Sequence, residues 1–153
     1  VNLGQQFNNQ EGYISFTQPT NAAPTVTSNG FIIGLGSTNV TAGFLYCYDN
    51  GSWNLADADL ATRSTQLLAY STTSDTSAAG MMVKGFIYTP YIALSSASTG
   101  DVLYIDESNS GYVTNIKPST ATEYVRIIGY YVGGDGENAL VWFDPDKTFI
   151  KLS

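Results

Sequence analysis

The chain has 153 residues, 43% of them hydrophobic and only 12% charged, with a net charge of −7. One domain suits that length and can build a core without staples, but the charged share is about half the usual one, so the polar surface rests on Ser, Thr, Asn and Gln. Six basic residues, spread thinly as Arg63, Lys84, Lys117, Arg126, Lys147 and Lys151, cannot neutralise a run of phosphates, which argues against nucleic acid or an anionic membrane surface as partner.

In chain order, residues 1–30 are polar and turn-rich, with one short alternating run, YISFT, and no helical period between Pro19 and Pro24. They read as an extended arm with one short strand, able to lie on a neighbour. Residues 31–153 read as a single β domain. FIIGL (31–35) is a first strand. GFLYCY (43–48) and SWNLA (52–56) form a hairpin, because the Asn-Gly between them tolerates the positive φ of a type I′ turn. Asp57 could cap a short helix over 57–65. Strands follow at QLLAYS, MMVKGFIYT, DVLYI, GYVTNI, EYVRIIGYYV and NALVWF, separated by Gly, Asn, Asp and Ser clusters. The end, NALVWFDPDKTFIKLS, reads as a closing hairpin in which Pro145 sets φ, two aspartates hold the bend and Phe143 faces Phe149. The fold class expected is all-β, a compact antiparallel sandwich or barrel with little helix.

The chain has no His, which removes Ser-His-Asp and Cys-His arrangements, and one Cys, which leaves no zinc set. Cys47, between two tyrosines, reads as a small buried apolar residue. The carboxylate pairs Asp57/Asp59, Asp106/Glu107 and Asp144/Asp146 lie in turns, where Asp bonds its own backbone, and none is taken as catalytic. DESNSG (106–111) is a faint echo of a calcium loop, without the distal Glu. No apolar run approaches the ~18 residues of a membrane span, and the start lacks the basic and apolar regions of a signal peptide. No cofactor or metal is expected. Trp53, Trp142 and Tyr130 are candidate stacking faces for a glycan or receptor, although core strands also want such volume.

Five phrases then occur in order: GSWNLADADLATRSTQLLAYS, AAGMMVKGFI, GDVLYIDESNSGYVTN, YVRIIGYYVGG and ALVWFDPDKTFIKL. Over about residues 53–153 this order resembles a β-rich domain of tailed-bacteriophage virion proteins, of the capsid decoration and head or tail fibre type. The resemblance carries no catalytic residues. It implies a structural protein on the surface of the virion, made in the bacterial host cytoplasm, with a homotrimer and the major capsid protein or other virion proteins as partners. Decoration (cement) of the capsid is the first expectation and a receptor-binding appendage tip the alternative. Phe7, Tyr13, Phe16, Pro19 and Pro24 in the arm are the expected subunit or capsid contacts.

Overall fold

The computed structural model describes residues 7–8, 13–74 and 80–153. Its elements are β1 (Phe7–Asn8), β2 (Tyr13–Ile14), β3 (Thr27–Ile33), β4 (Leu45–Asp49), β5 (Ser52–Leu55), α1 (Ala61–Ser64), β6 (Leu67–Ser71) and β7 (Met81–Thr89). There follow β8 (Ile92–Ala93), β9 (Val102–Ile105), β10 (Val113–Thr114), β11 (Tyr124–Val125), β12 (Ile127–Gly134), β13 (Ala139–Phe143) and β14 (Ile150–Lys151). Ten strands form one curled sheet, a half-barrel, in the order β5-β4-β6-β7-β13-β12-β9-β10-β8, with β3 also on β7. The all-β expectation holds.

The β4–β5 hairpin forms as read: Asp49 pairs with Ser52, and Asn50 and Gly51 take φ of 48° and 80° between them. The nine-residue β7 is the spine of the sheet. On one edge it pairs with β3 from Met81 to Tyr88. On the other it pairs first with β6, at Met81 and Met82, and then with β13, from Gly85 to Thr89. The sheet therefore forks at Gly85 into a β6-β4-β5 wing and a β13-β12-β9-β10 wing.

A transverse row crosses the fork: Gly30 opposite Gly85, Gly85 opposite Phe143, and Phe143 opposite Gly129. Three of these four positions have no side chain. A Cβ on Gly85 would lie 2.5 Å from the carbonyl oxygen of Asn29, and one on Gly129 would run into the carbonyl of Trp142. Missing side chains in adjacent strands let the sheet bend sharply. The fully buried Phe143 ring fills the inside of the bend and meets Tyr70 edge-on at 4.9 Å.

The wings close over a core that includes Leu45, Leu68, Ile87, Leu103, Ile128 and Phe143. Main-chain bonds seal the seam. Leu45 N–H donates to Gly111 O (2.9 Å), Gly111 N–H to Ala56 O (2.7 Å), and Tyr124 N–H to Ala58 O (2.9 Å). A second, smaller cluster lies outside the β6-β4-β5 wing, where residues 34–44 fold over Tyr46, Trp53, Ala69 and Met81.

Three local expectations are corrected. The helix is a single turn, and its N-cap, Leu60, offers no side-chain bond. Asp57 instead accepts from the N–H of Asp59 and the hydroxyl of Ser110. The terminal hairpin does not form: Phe143 is buried whereas Phe149 is 43% exposed and touches Tyr124. Asp144 and Asp146 give their N–H groups to Ile128 and Ile127, so the chain runs on past β12 instead of turning back. Beyond them β14 pairs with β11. Finally, the division drawn at residue 30 falls inside β3, so the part outside the sheet ends near Val26.

Two substitutions test this account in urea melts. Gly129→Ala places a methyl group against a fixed carbonyl at a φ of 151° and is expected to cost roughly 3 kcal/mol or more. Among the described residues the Tyr70 hydroxyl is buried without a partner, so Tyr70→Phe is expected to leave stability unchanged or raise it by about 1 kcal/mol.

Candidate functional site

Alternation along the strands sorts the aromatic residues into two sets. Gly85, Ile87, Val141, Phe143, Leu103 and Ile105 are buried, so their neighbours Lys84, Phe86, Trp142, Val102 and Tyr104 point outward. Across the strands these outward residues align: Val102 is opposite Tyr130, Tyr130 opposite Trp142, Trp142 opposite Phe86 and Phe86 opposite Asn29. Beside this row, Lys84 is opposite Phe31 and Tyr104 opposite Ile127. The outer face of the β13-β12-β9 wing and β3 is therefore apolar and aromatic.

The two wings differ in how that face is covered. Residues 34–44 shield the outer face of one wing, and the other stays open among the described residues. Tyr130 is 44% exposed, Phe31 38% and Ile150 66%. Trp142 is half-buried, with its ring 4.7 Å from Phe86 and the Lys84 ammonium 6.0 Å from its centre. Lys84 also pairs with Asp144 at 3.4 Å, where both side chains are too exposed for the pair to add much stability.

Two hollows mark the ends of this face. One, of about 440 Å³, lies between the arm and the sheet and is lined by Ile14, Phe16, Phe31, Lys84, Phe86 and Trp142. The other, of about 260 Å³, is bounded by Tyr104, Lys117, Ile127, Asp146, Phe149 and Ile150. In the first, Phe16 meets Phe31 edge-on at 5.0 Å. The arm continues along its own sheet: Gln18 donates to the Tyr88 hydroxyl (2.7 Å), and Asn29 donates to the Thr17 hydroxyl (3.2 Å).

The expected contact residues thus separate. Trp142 and Tyr130 stand side by side on the open face. Trp53 does not join them. It is 2% exposed, and its indole N–H donates to the Leu35 carbonyl at 2.7 Å, so it is core and not a stacking face. Phe16 lines the hollow, Pro19 is half-buried, and Pro24 is exposed in the tight turn bridged by Ala22 and Thr25. Phe7 and Tyr13 belong to the β1–β2 pair, and their side chains lie outside the described residues.

The turn carboxylates are used locally. Asp106 accepts from the N–H groups of Ser108 (2.6 Å) and Asn109 (2.7 Å), which explains DESNSG as a turn. Among the described residues no three acidic or Cys side chains are arranged to hold a metal ion. Cys47 is fully buried in β4, and burial pushes its thiol up to about 11.

Two ionisable groups carry more structure than the sequence reading assigned them. Arg126 is 5% exposed, and its guanidinium donates to the carbonyls of Asp146 (2.6 Å), Ser64 (2.9 Å) and Gln66 (2.5 Å). Its charge inside the apolar run YVRIIGY was the available signal, since a buried Arg needs a full set of acceptors. Glu123 is 6% exposed, and among the described residues its Oε2 has no donor to accept from. Burial first, and then Glu107 and Asp59 beside it, push Glu123 up to about 7. Glu107 is held below its ordinary value, chiefly by the hydrogen bond from Glu123. The pair therefore keeps one proton well above the usual carboxylate range.

A scan of protein-family models and a search of curated proteins find no match to this chain.

The Glu123 proton gives stability a pH dependence of defined sign. A carboxyl whose folded pKa is raised stabilises fully below its ordinary value and loses that contribution as pH rises through the folded value. Urea midpoints should therefore fall between about pH 4.5 and about pH 7. The lowered Glu107 acts the other way, its contribution being lost as pH falls below its ordinary range. Glu123→Gln should flatten the upper window and raise the midpoint above pH 7. An unchanged slope in that variant would remove Glu123 as the cause.

Proposed function

We propose that the chain is a structural subunit of a tailed-bacteriophage particle that works by surface contact, first of all as a capsid decoration (cement) protein on the major capsid protein. The observation that carries this reading is the open apolar face. A wide patch of Tyr, Trp, Phe and Ile with few charges has the composition of the centre of a protein interface. The five phrases that resemble virion proteins fall on β5 to β6, β7, β9 to β10, β11 to β12 and β13 to β14, and of these β6, β7, β13, β12, β9 and β10 are consecutive neighbours in the large sheet.

The appendage-tip reading has its own support in the adjacent Tyr130 and Trp142, which offer two flat faces to a receptor or glycan. Location on the particle separates the two jobs. Immunogold labelling of intact virus with antibody to this protein is expected to place gold over the head. Gold confined to the tail or one vertex would favour the appendage. A particle without gold would remove the virion reading.

A further inference from the structure

The C-terminal ribbon is fastened to the body beside Glu123. β11 and β14 pair at Tyr124–Lys151 and Val125–Ile150 and, among the described residues, stand apart from the ten-stranded sheet. Three main-chain bonds meet there. Leu152 N–H donates to the Glu123 carbonyl (2.8 Å), Thr122 N–H to the Leu152 carbonyl (3.1 Å) and Tyr124 N–H to the Ala58 carbonyl (2.9 Å). Inside this clasp the Glu123 side chain is buried. Glu107 from the 106–111 turn and Asp59 from the 57–60 loop face it, both negative, and among the described residues no cation acts on it. The other charges nearby are engaged elsewhere. Asp57 accepts from Ser110, Asp106 accepts from Ser108 and Asn109, and Arg126 turns to its three carbonyls. The Lys151 ammonium lies 5.7 Å from the centre of the Tyr124 ring, and Lys117 lines the hollow beside Phe149 and Ile150. Next to Glu123, Thr122 holds a φ of 77°, a left-handed conformation that a β-branched residue keeps only under constraint.

We propose that this clasp is a pH-operated latch on the C-terminal strand, shut while Glu107 and Glu123 share a proton and opened when that proton passes to water. With the proton in place Glu123 donates to Glu107, and the pair carries a single charge. Once the proton leaves, a buried carboxylate faces two others with no donor at its Oε2 among the described residues. Turning out into solvent relieves that arrangement. The movement carries residues 122–124 with it, breaks the three main-chain bonds and releases the strain at Thr122. Release ends at Asp146, whose carbonyl the buried Arg126 holds at 2.6 Å. The freed segment carries Phe149, Ile150 and Leu152, and its departure opens the hollow that Tyr104, Lys117 and Ile127 line. The apolar face thus gains a mobile edge as pH rises, whichever partner it meets.

Amide hydrogen exchange of the full chain, followed by NMR at pH 6 and at pH 8, tests this. Glu107 is ionised at both, whereas burial first, and then Glu107 and Asp59, put Glu123 at about 7, between them. Protection of the Thr122, Tyr124 and Leu152 amides, measured against the free-peptide rate, is expected to fall about tenfold from the lower pH to the higher. At each pH it should lie below that of the sheet amides Ser71 and Tyr131 and stay the same in mild urea, which marks a local opening. Glu123→Gln, a neutral donor of the same shape, should remove the pH step. Three results overturn the latch: clasp amides that exchange only with the whole sheet, at its protection and with its urea dependence; a wild type without the pH step; or a step that survives in Glu123→Gln. The first two need no variant, so a Gln protein that fails to fold leaves the test standing.

Discussion

The fold turns on a close approach of backbones at the fork of β7. Gly30, Gly85 and Gly129 lie in one row across four strands, and only Phe143 contributes a side chain there. A β-sheet of ten strands tends to split or curl, and the missing side chains decide where. At Gly85 the free side of β7 passes from β6 to β13, so two wings diverge from one strand and bend inward over the Phe143 ring. Every later feature inherits this geometry: the shared core, the seam at Gly111, and an outer surface divided into two faces.

Arg126 is the polar counterpart of that apolar hinge. Between Gly129 and Val125 the chain advances four residues, while its partner advances seven, from Phe143 to Ile150. The surplus forms the bulge around Asp144, Pro145 and Asp146. Arg126 reaches through the interior to the carbonyl of Asp146 on one side and to those of Ser64 and Gln66 on the other. One buried charge thus ties the C-terminal bulge to the end of α1 and the start of β6, satisfying three carbonyls at once. An unpaired guanidinium in that place would be costly, so the three segments depend on one another.

The two faces then acquire different fates. Residues 34–44 bring Leu35 and Val40 over the β6-β4-β5 wing, and Trp53 becomes core. Among the described residues the arm meets the other side of the sheet with Ile14, Phe16 and Gln18 and the β12–β13 turn with Asn21, while Tyr130 and Ile150 stay exposed and Trp142 half-buried. A chain so poor in charge has few means of solvating such a face, and the contact role proposed for it rests on the arrangement of the layers and not on any single residue.

The sequence by itself determined the all-β class, the β4–β5 turn and the buried Cys47. These depend on neighbours within a few positions: alternation, Asn-Gly, a thiol between strand residues. It misread the terminal segment as a hairpin, because turn residues look the same whether a strand reverses or bulges. Only the partners supplied by β11 and β12 decide between those outcomes. The split between Trp53 and Trp142 was equally invisible. Both are strand tryptophans, and which one is buried depends on whether a distant loop crosses its face. The Glu107–Glu123 pair and the three acceptors of Arg126 join positions far apart in the chain. Local pattern is written in the order of residues, whereas burial and charge pairing are set by what the folded sheet brings alongside.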